Sequence, residues 1–375
     1  MTMISYIIWN GSPEIFSIGT FALRWYGLLF ALGFLISQQL LYYIYRKEGK
    51  PEKDVETLTI YMVIATILGA RLGHVIFYQP DMFLTDPLGI LLPFQFSPTF
   101  KFTGFLGLAS HGGAFGILFA LWLYSRKKKP GQSYLQILDR IVILVALTGC
   151  LIRLGNFFNS EIIGKPTDSP LGVVFASPVK SAILRSDDKS LVETVGITSG
   201  SQFTDKTKGI VPLEMYLFFK KGVTRDDANN YVRTDVKYIL TRLSEFVYES
   251  SDVTINYDIV SEKDGVWVTK IHTFGIVRHP AQLYESISCL LLFAFLFWYW
   301  HSHQANPPPG RIFGFFLIIL WSLRFVYEYL KENQEAFEGD LPINMGQILS
   351  IPLILIGIYV LIQSYKKPSN KQILS

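Results

Sequence analysis

The sequence predicts an all-α polytopic membrane protein of seven transmembrane helices, with its N-terminus outside and a small α+β extracytoplasmic insertion. Three observations carry that prediction. The 375 residues are 50% hydrophobic and only 17% charged, short of the charge of an average soluble domain. Seven apolar runs are long enough to cross roughly 30 Å of hydrocarbon at about 20 residues each. One long segment, residues 165–278, breaks that pattern with 15 basic and 15 acidic residues. The composition excludes a disordered chain, a collagen-like chain and a disulfide scaffold. A net charge of only +4, scattered along the chain, argues against a nucleic-acid partner.

The expected spans are Leu23–Tyr45, Leu58–Tyr78, Gly104–Ser125, Ile137–Phe158, Ala281–Trp300, Ile312–Leu330 and Ile343–Ser364. They are continuous rather than alternating, which fits helices and not barrel strands. Met1–Ser17 contains no Lys or Arg. It lacks the basic start of a cleavable signal peptide, so the first helix is expected to stay in the mature protein. Twelve Lys and Arg follow the odd-numbered spans: Arg46, Lys47, Lys50, Lys53, Arg126 to Lys129, Arg311, Lys366, Lys367 and Lys371. Only Lys101 and Lys331 lie in the short loops on the other side. That bias places the N-terminus outside and the C-terminus in the cytoplasm. Residues 1–164 then hold helices one to four, 165–278 the insertion, and 279–375 helices five to seven with a cytoplasmic tail.

Within the insertion, Val211–Lys220, Val253–Val260 and Gly265–Phe274 read as strands. Asp226–Glu249 carries Val232, Val236, Ile239, Leu240, Leu243, Phe246 and Val247 at helical spacing. Long loops cross a membrane largely regardless of charge, so these basic residues leave the orientation unchanged. Cys150 and Cys289 sit inside apolar runs without metal spacing, which points away from cysteine chemistry. Pro307-Pro308-Pro309-Gly310 marks a turn between helices five and six.

Ionisable groups inside spans are costly and commonly line a polar cavity. Here they gather at the expected outer end. Arg24 and Tyr26 begin helix one, Arg71 and His74 end helix two, and His111 lies about two turns into helix three. Arg153 and Asn156 end helix four, followed by Asn159, Glu161 and Gly164. Arg278, His279, Gln282, Tyr284 and Glu285 open helix five. Arg324, Glu328 and Glu332 close helix six. Taken singly, Arg24 or Lys331 reads as a residue snorkelling to the interface, Trp25 and Tyr26 as aromatic-belt residues, and Gly112-Gly113 as a helix-packing pair. Taken together, Arg71, Arg153 and Arg324 with a histidine and two carboxylates at one level read as a site. Guanidinium matches phosphate bidentately and keeps its charge, so a phospholipid headgroup is the expected ligand. Glu328 lies four residues after Arg324 and can hold it. The small residues around His111 leave room for a lipid beside the imidazole. No His-Glu-x-x-His, Gly-x-Ser-x-Gly or P-loop motif occurs. A transporter for an anionic substrate is the alternative, although no repeated halves are visible.

At these residues the sequence resembles the prolipoprotein diacylglyceryl transferases of bacterial inner membranes. The resemblance rests on Arg24-Trp25-Tyr26-Gly27-Leu28, Gly69-Ala70-Arg71-Leu72-Gly73, and His111 through Gly116. It continues through Arg153-Leu154-Gly155-Asn156 to Glu161 and Gly164, Arg278-His279-Pro280-Ala281-Gln282-Leu283-Tyr284-Glu285, and Arg324-Phe325-Val326-Tyr327-Glu328. The resemblance implies transfer of the diacylglyceryl group of phosphatidylglycerol to the lipobox cysteine thiol of a preprolipoprotein, with no cofactor. It places functional positions on Tyr26, His111, Arg153, Asn156, Glu161, Gly164, Arg324 and Glu328, and another on Asp139. Ser160 stands where the family usually has glycine, and the segment between Gly164 and His279 is longer than in many relatives.

On that reading Arg153 and Arg324 clamp the lipid phosphate and Asn156 adds a hydrogen bond. Glu161 and Glu328 position arginines, Tyr26 contacts the headgroup, and Arg71, Gly164 and His279 contribute to lipid binding. His111 is the expected general base for the substrate thiol. In the alternative, an arginine's field lowers the thiol pKa and His111 only orients lipid.

Overall fold

A computed structural model describes residues 6–18, 21–91, 94–95, 101–102, 109–187, 190–200, 209–261, 265–303, 307–332 and 343–366. Strands β1 (Ile7–Trp9), β2 (Glu14–Ile18) and β3 (Phe21–Arg24) precede helices α1 (Trp25–Lys47) and α2 (Glu52–Tyr78). Short turns α3 (Met82–Thr85) and α4 (Pro87–Leu91) and the pair β4 (Phe94–Gln95) and β5 (Lys101–Phe102) come next. Helices α5 (Ser110–Ser125) and α6 (Tyr134–Phe158) follow. After them come β6 (Val173–Phe175), α7 (Ser177–Ser186), β7 (Val192–Ser199), β8 (Ile210–Phe219) and α8 (Arg225–Tyr231). A π-turn at Val232–Val236 joins α8 to α9 (Lys237–Arg242), followed by β9 (Val247–Tyr248), β10 (Asn256–Ser261) and β11 (Trp267–Arg278). Helix α10 (Ala281–Ser302), helix α11 (Arg311–Tyr327) with a 3-10 extension at Glu328–Leu330, and helix α12 (Met345–Lys366) complete the order.

Among the described residues, six helices are long and apolar enough to cross a membrane: α1, α2, α6, α10, extended α11 and α12. Their outer faces carry exposed apolar side chains such as Phe77, Leu291 and Leu355, as a lipid-facing surface demands. The protein is a polytopic membrane protein. The remaining expected span is α5, which covers 16 residues from Ser110. Its expected start at Gly104 lies outside the described residues, as do the tail lysines Lys367 and Lys371. Because α5 begins at Ser110, His111 stands in its first turn, not two turns in.

The chain divides into two compact units. One comprises Met1–Leu32, Gly149–Ser288 and Leu323–Ser350, and the other Gly33–Thr148, Cys289–Ser322 and Ile351–Ser375.

The first unit holds a sheet ordered β1-β6-β11-β8-β7, with β9 and β10 also paired to β11. Strand β8 buries Leu213, Met215, Leu217 and Phe219, every second residue, as the two-residue period of a strand requires. It pairs antiparallel with β11, Leu213 opposite Thr273 and Leu217 opposite Thr269. Tyr231, Val232, Val236, Ile239 and Leu240 from the helical segment fill the same core. Each such fully buried side chain removes apolar surface worth about 1.5–3 kcal/mol. Thr224 caps α8 by accepting from the Asp227 amide.

Four expectations in this unit change. The helix read over Asp226–Glu249 ends at Arg242, because Leu243 leaves helical backbone (φ −91°, ψ 40°), and Val247 and Tyr248 pair with β11 instead. The strand expected at Val253 begins at Asn256, and the one expected to stop at Phe274 runs on to Arg278. Arg24 ends β3 and forms an ion pair with Glu14 (3.6 Å) rather than beginning a helix.

In the second unit, α2 and α5 meet through Gly69, Gly73, Gly112 and Gly116. A Cβ on Gly112 would lie 2.2 Å from the Gly69 carbonyl oxygen. Helix association in lipid rests on such close packing of small residues. The glycine face of α5 is therefore covered by α2, while His111 stays exposed. Asp139 is fully buried. Its carboxylate accepts hydrogen bonds from the Gly310 amide (2.7 Å) and the Phe313 amide (2.8 Å). It satisfies backbone donors at the start of α11, which no preceding turn can reach.

Candidate active site

Arg153 lies near the end of α6, Glu285 in the first turns of α10, and Arg324 near the end of α11. Glu328 opens the 3-10 turn and Lys331 follows it. All five belong to the first unit. Arg153 Nε stands 2.6 Å from Glu285 Oε2, and Lys331 Nζ is 2.5 Å from Glu285 Oε1. Lys331 Nζ is also 3.1 Å from Glu328 Oε1, which is 3.6 Å from Arg324 Nε. The result is one continuous chain of charges, Arg153–Glu285–Lys331–Glu328–Arg324. Its centre is closed and its ends are open: the Lys331 side chain is 3% exposed, those of Arg153 and Arg324 25% and 33%. Asn344 Nδ2 also donates to Glu328 (3.3 Å). Gly346 gives that carboxylate room, since a Cβ there would lie 2.6 Å from Glu328 Cδ.

Gly164 ties the backbone of this chain. Its amide donates to the His279 carbonyl (3.0 Å), and Gly164 forms an antiparallel bridge with Lys331. A Cβ on Gly164 would meet the His279 carbonyl oxygen at 2.6 Å and that of Leu330 at 2.8 Å. Glycine is needed there for the close approach itself. Arg278, buried, donates to the Gly164 carbonyl (3.0 Å), to Glu332 (2.5 Å) and to the Glu245 carbonyl (2.6 Å). His279 places Nδ1 3.3 Å from the Tyr284 hydroxyl.

The end of α6 forms a second polar corner. Asn156 and Asn159 each donate to Glu161 (3.2 Å), and Gln282 donates to the Glu161 carbonyl. Ser160 has left-handed backbone (φ 55°), the conformation that suits glycine best after a helix. The Asn159 Oδ1, Ser160 Oγ and Gln282 Oε1 atoms are buried without a hydrogen-bond partner among the described residues. Buried polar atoms are nearly always satisfied, so their concentration at one corner suits a polar ligand. Tyr26 packs on Gly155, where a Cβ would lie 2.9 Å from the ring.

The first unit therefore brings together Tyr26, Arg153, Asn156, Glu161, Gly164, His279, Arg324 and Glu328. Arg71 and His111 belong to the second unit. Arg71 is buried and donates to the carbonyls of Gly89 (3.0 Å) and Ile90 (3.2 Å), holding the α4 turn. His111 is exposed at the start of α5, which is anchored by the Ala109 amide donating to the Ala70 carbonyl (2.9 Å). Two assignments change. Glu161 is held by asparagines and does not position an arginine, whereas Glu285 holds Arg153. Lys331 does not snorkel but occupies the centre of the ion chain. A signal for it existed, since Lys331 lies three residues after Glu328 and seven after Arg324, one helix face.

Two arginines stand near the ends of helices long and apolar enough to cross a membrane, in a multi-pass membrane protein. A family model described as prolipoprotein diacylglyceryl transferase matches residues 13–363. The chain belongs to that family. It is similar to the phosphatidylglycerol–prolipoprotein diacylglyceryl transferases of Bacteroides fragilis (32% identical), Tolumonas auensis (32%) and Chloroherpeton thalassium (33%). The three matches cover 97%, 97% and 98% of this chain and 98%, 100% and 97% of those relatives. Nothing in these matches supports a transporter.

Proposed function

We infer that this protein transfers the diacylglyceryl group of phosphatidylglycerol to the lipobox cysteine thiol of a preprolipoprotein. The thiolate sulfur bonds to the terminal glyceryl carbon as the carbon–oxygen bond to phosphate breaks. Glycerol phosphate leaves with the electron pair, and the protein product is a thioether. Arg153 and Arg324 bind the phosphate and stabilise the charge that grows on the leaving group. Asn156 donates a further hydrogen bond and Tyr26 contacts the headgroup. Glu161, Glu328, Gly164, His279 and Arg71 support the binding of phosphatidylglycerol. His111 takes the proton of the substrate thiol. The attacking sulfur belongs to the substrate, so Cys150 and Cys289, both buried, stay outside the chemistry.

The protein works in the bacterial inner membrane. It crosses seven times with the segment ending in α5 as a further span, its N-terminus and the 165–278 insertion are extracytoplasmic, and its site opens to the outer leaflet. The observation that carries the reading is the single ion chain joining Arg153 to Arg324, in a chain matched by the family model nearly end to end. Purified protein given phosphatidylglycerol and a lipobox peptide tests it. Arg153→Ala and Arg324→Ala should each lower transfer per folded molecule by about 10²–10³-fold, the loss typical of removing one preorganised charge-stabilising donor. Near wild-type turnover in either variant would remove the clamp. For His111→Gln the acid limb of the pH–rate profile should vanish, and an unchanged profile would remove it as base.

A further inference from the structure

We propose that Lys331 is a positioning residue for the transfer reaction, fixing Arg153 and Arg324 as a pair through the two carboxylates it bridges. The proposal rests on the two-arginine reading above. A lysine following a membrane helix has a cheap option, which is to extend its ammonium toward the interface. Lys331 does the opposite, with its Nζ enclosed between Glu285 and Glu328. Burying an ammonium costs several kcal/mol unless it is paired and held in good geometry. Here both conditions are met, by two carboxylates and by a backbone that Gly164 grips from the other side.

The charge count gives this placement its chemical sense. Arg153, Lys331 and Arg324 are three cations, while Glu285 and Glu328 are two carboxylates. The chain therefore carries one surplus positive charge, which matches the single negative charge of a phosphodiester. Without Lys331 each carboxylate would answer only to its own arginine and the surplus would vanish. With Lys331 between them, both carboxylates are shared, and each arginine is held at Nε by a partner whose charge is already partly answered. Nothing in this arrangement has Lys331 touch the lipid or the thiol. It acts on the reaction only through the two arginines.

The test uses the full-length protein in phosphatidylglycerol-containing micelles with a lipobox peptide, reading kcat, the KM for each substrate and the thermal midpoint. Lys331→Gln keeps hydrogen bonding but drops the charge, and should raise the KM for phosphatidylglycerol about tenfold, the scale of one charge-assisted contact. The KM for the peptide should not move, and Lys331→Arg should recover most of the loss. A double variant, Glu285→Gln with Lys331→Gln, restores one surplus charge. It should bind phosphatidylglycerol better than Lys331→Gln alone, and it decides the matter if the single variant fails to fold. A wild-type KM in Lys331→Gln, equal losses in Lys331→Gln and Lys331→Arg, or a double variant worse than the single would each overturn the proposal. Arg153→Ala and Arg324→Ala run in parallel separate the two ideas. If they lose lipid affinity while Lys331→Gln does not, only the role of Lys331 falls. If they retain it, the clamp itself falls.

Discussion

In the second unit Glu48 accepts from Arg140 (2.9 Å), Trp300 (2.8 Å) and Lys50 (2.5 Å), while Asp54 accepts from Gln132 (2.6 Å) and pairs with Lys129. That cluster has three cations and two carboxylates, the same inventory as the Arg153–Arg324 chain of the first unit. The two differ in how they are closed. The Arg140 side chain is 4% exposed and its Nη1 is taken by the Gln136 carbonyl (2.6 Å). The buried side-chain atoms left without a hydrogen-bond partner, among the described residues, lie instead in the first unit, several of them at the end of α6 and the start of α10. Net charge therefore does not distinguish a scaffold from a site. Saturation does, because a closed network has nothing left to offer a ligand and an open one has.

The comparison breaks most visibly at Arg140. Arg140→Met leaves the Glu48 carboxylate buried with less of its compensation, and should destabilise the protein by about 3–5 kcal/mol. Transfer per folded molecule should stay at the wild-type value. Equilibrium unfolding in mild detergent together with an activity assay checks both halves. A variant that unfolds normally but has lost turnover would mean the second cluster is functional after all.

A smaller effect sharpens the open side. Ser160 holds a left-handed backbone at φ 55°, a conformation that costs a non-glycine residue about 1–2 kcal/mol. Ser160→Gly relieves that cost and gives back part of it in chain entropy, so a gain of about 0.5–1 kcal/mol is expected. A raised thermal midpoint with unchanged lipid affinity fits, and a loss of affinity would make the serine hydroxyl part of the site.

The smallest effect lies in the insertion. A hydrogen bond from Tyr216, and next the neighbouring Lys270, hold the Glu214 carboxyl below its ordinary value of 4.5. A lowered carboxyl favours the folded state above the ordinary value, and that contribution is lost as pH falls through the lower, folded one. Acidification below the glutamate range should therefore lower the hydrogen-exchange protection of β8 and β11 in the full-length protein, measured against the unfolded-chain exchange rate at the same pH. Glu214→Gln should remove that dependence, and an unchanged acid profile in the variant would show that other carboxylates govern it.

Six of the spans were legible because a run of apolar residues long enough to cross a bilayer has few other uses, and β8 was legible because Leu213, Met215, Leu217 and Phe219 keep a two-residue period. Strand β1 was not: three residues, Ile7, Ile8 and Trp9, become a strand only by pairing with distant Val173–Phe175. The π-turn at Val232–Val236 was invisible for a related reason, since apolar spacing does not separate it from an α-helix. Around the ion chain, residue types were readable: of the residues singled out in the sequence, Arg153, Arg324 and Glu328 join it and Gly164 grips its backbone. Partners were not. Composition cannot say that Glu161 accepts from Asn156 while Glu285 takes Arg153, nor that Asp139 caps α11. Lys331 was misjudged because a position on a helix tells which side a lysine leaves from, not whether two carboxylates wait for it.

The most direct measurement is an experimental structure of the protein with phosphatidylglycerol bound. The account predicts one lipid phosphate within about 3 Å of both the Arg153 and the Arg324 guanidinium, the separation of a charge-assisted hydrogen bond. A lipid whose phosphate is held elsewhere, in a preparation that still transfers, would contradict it.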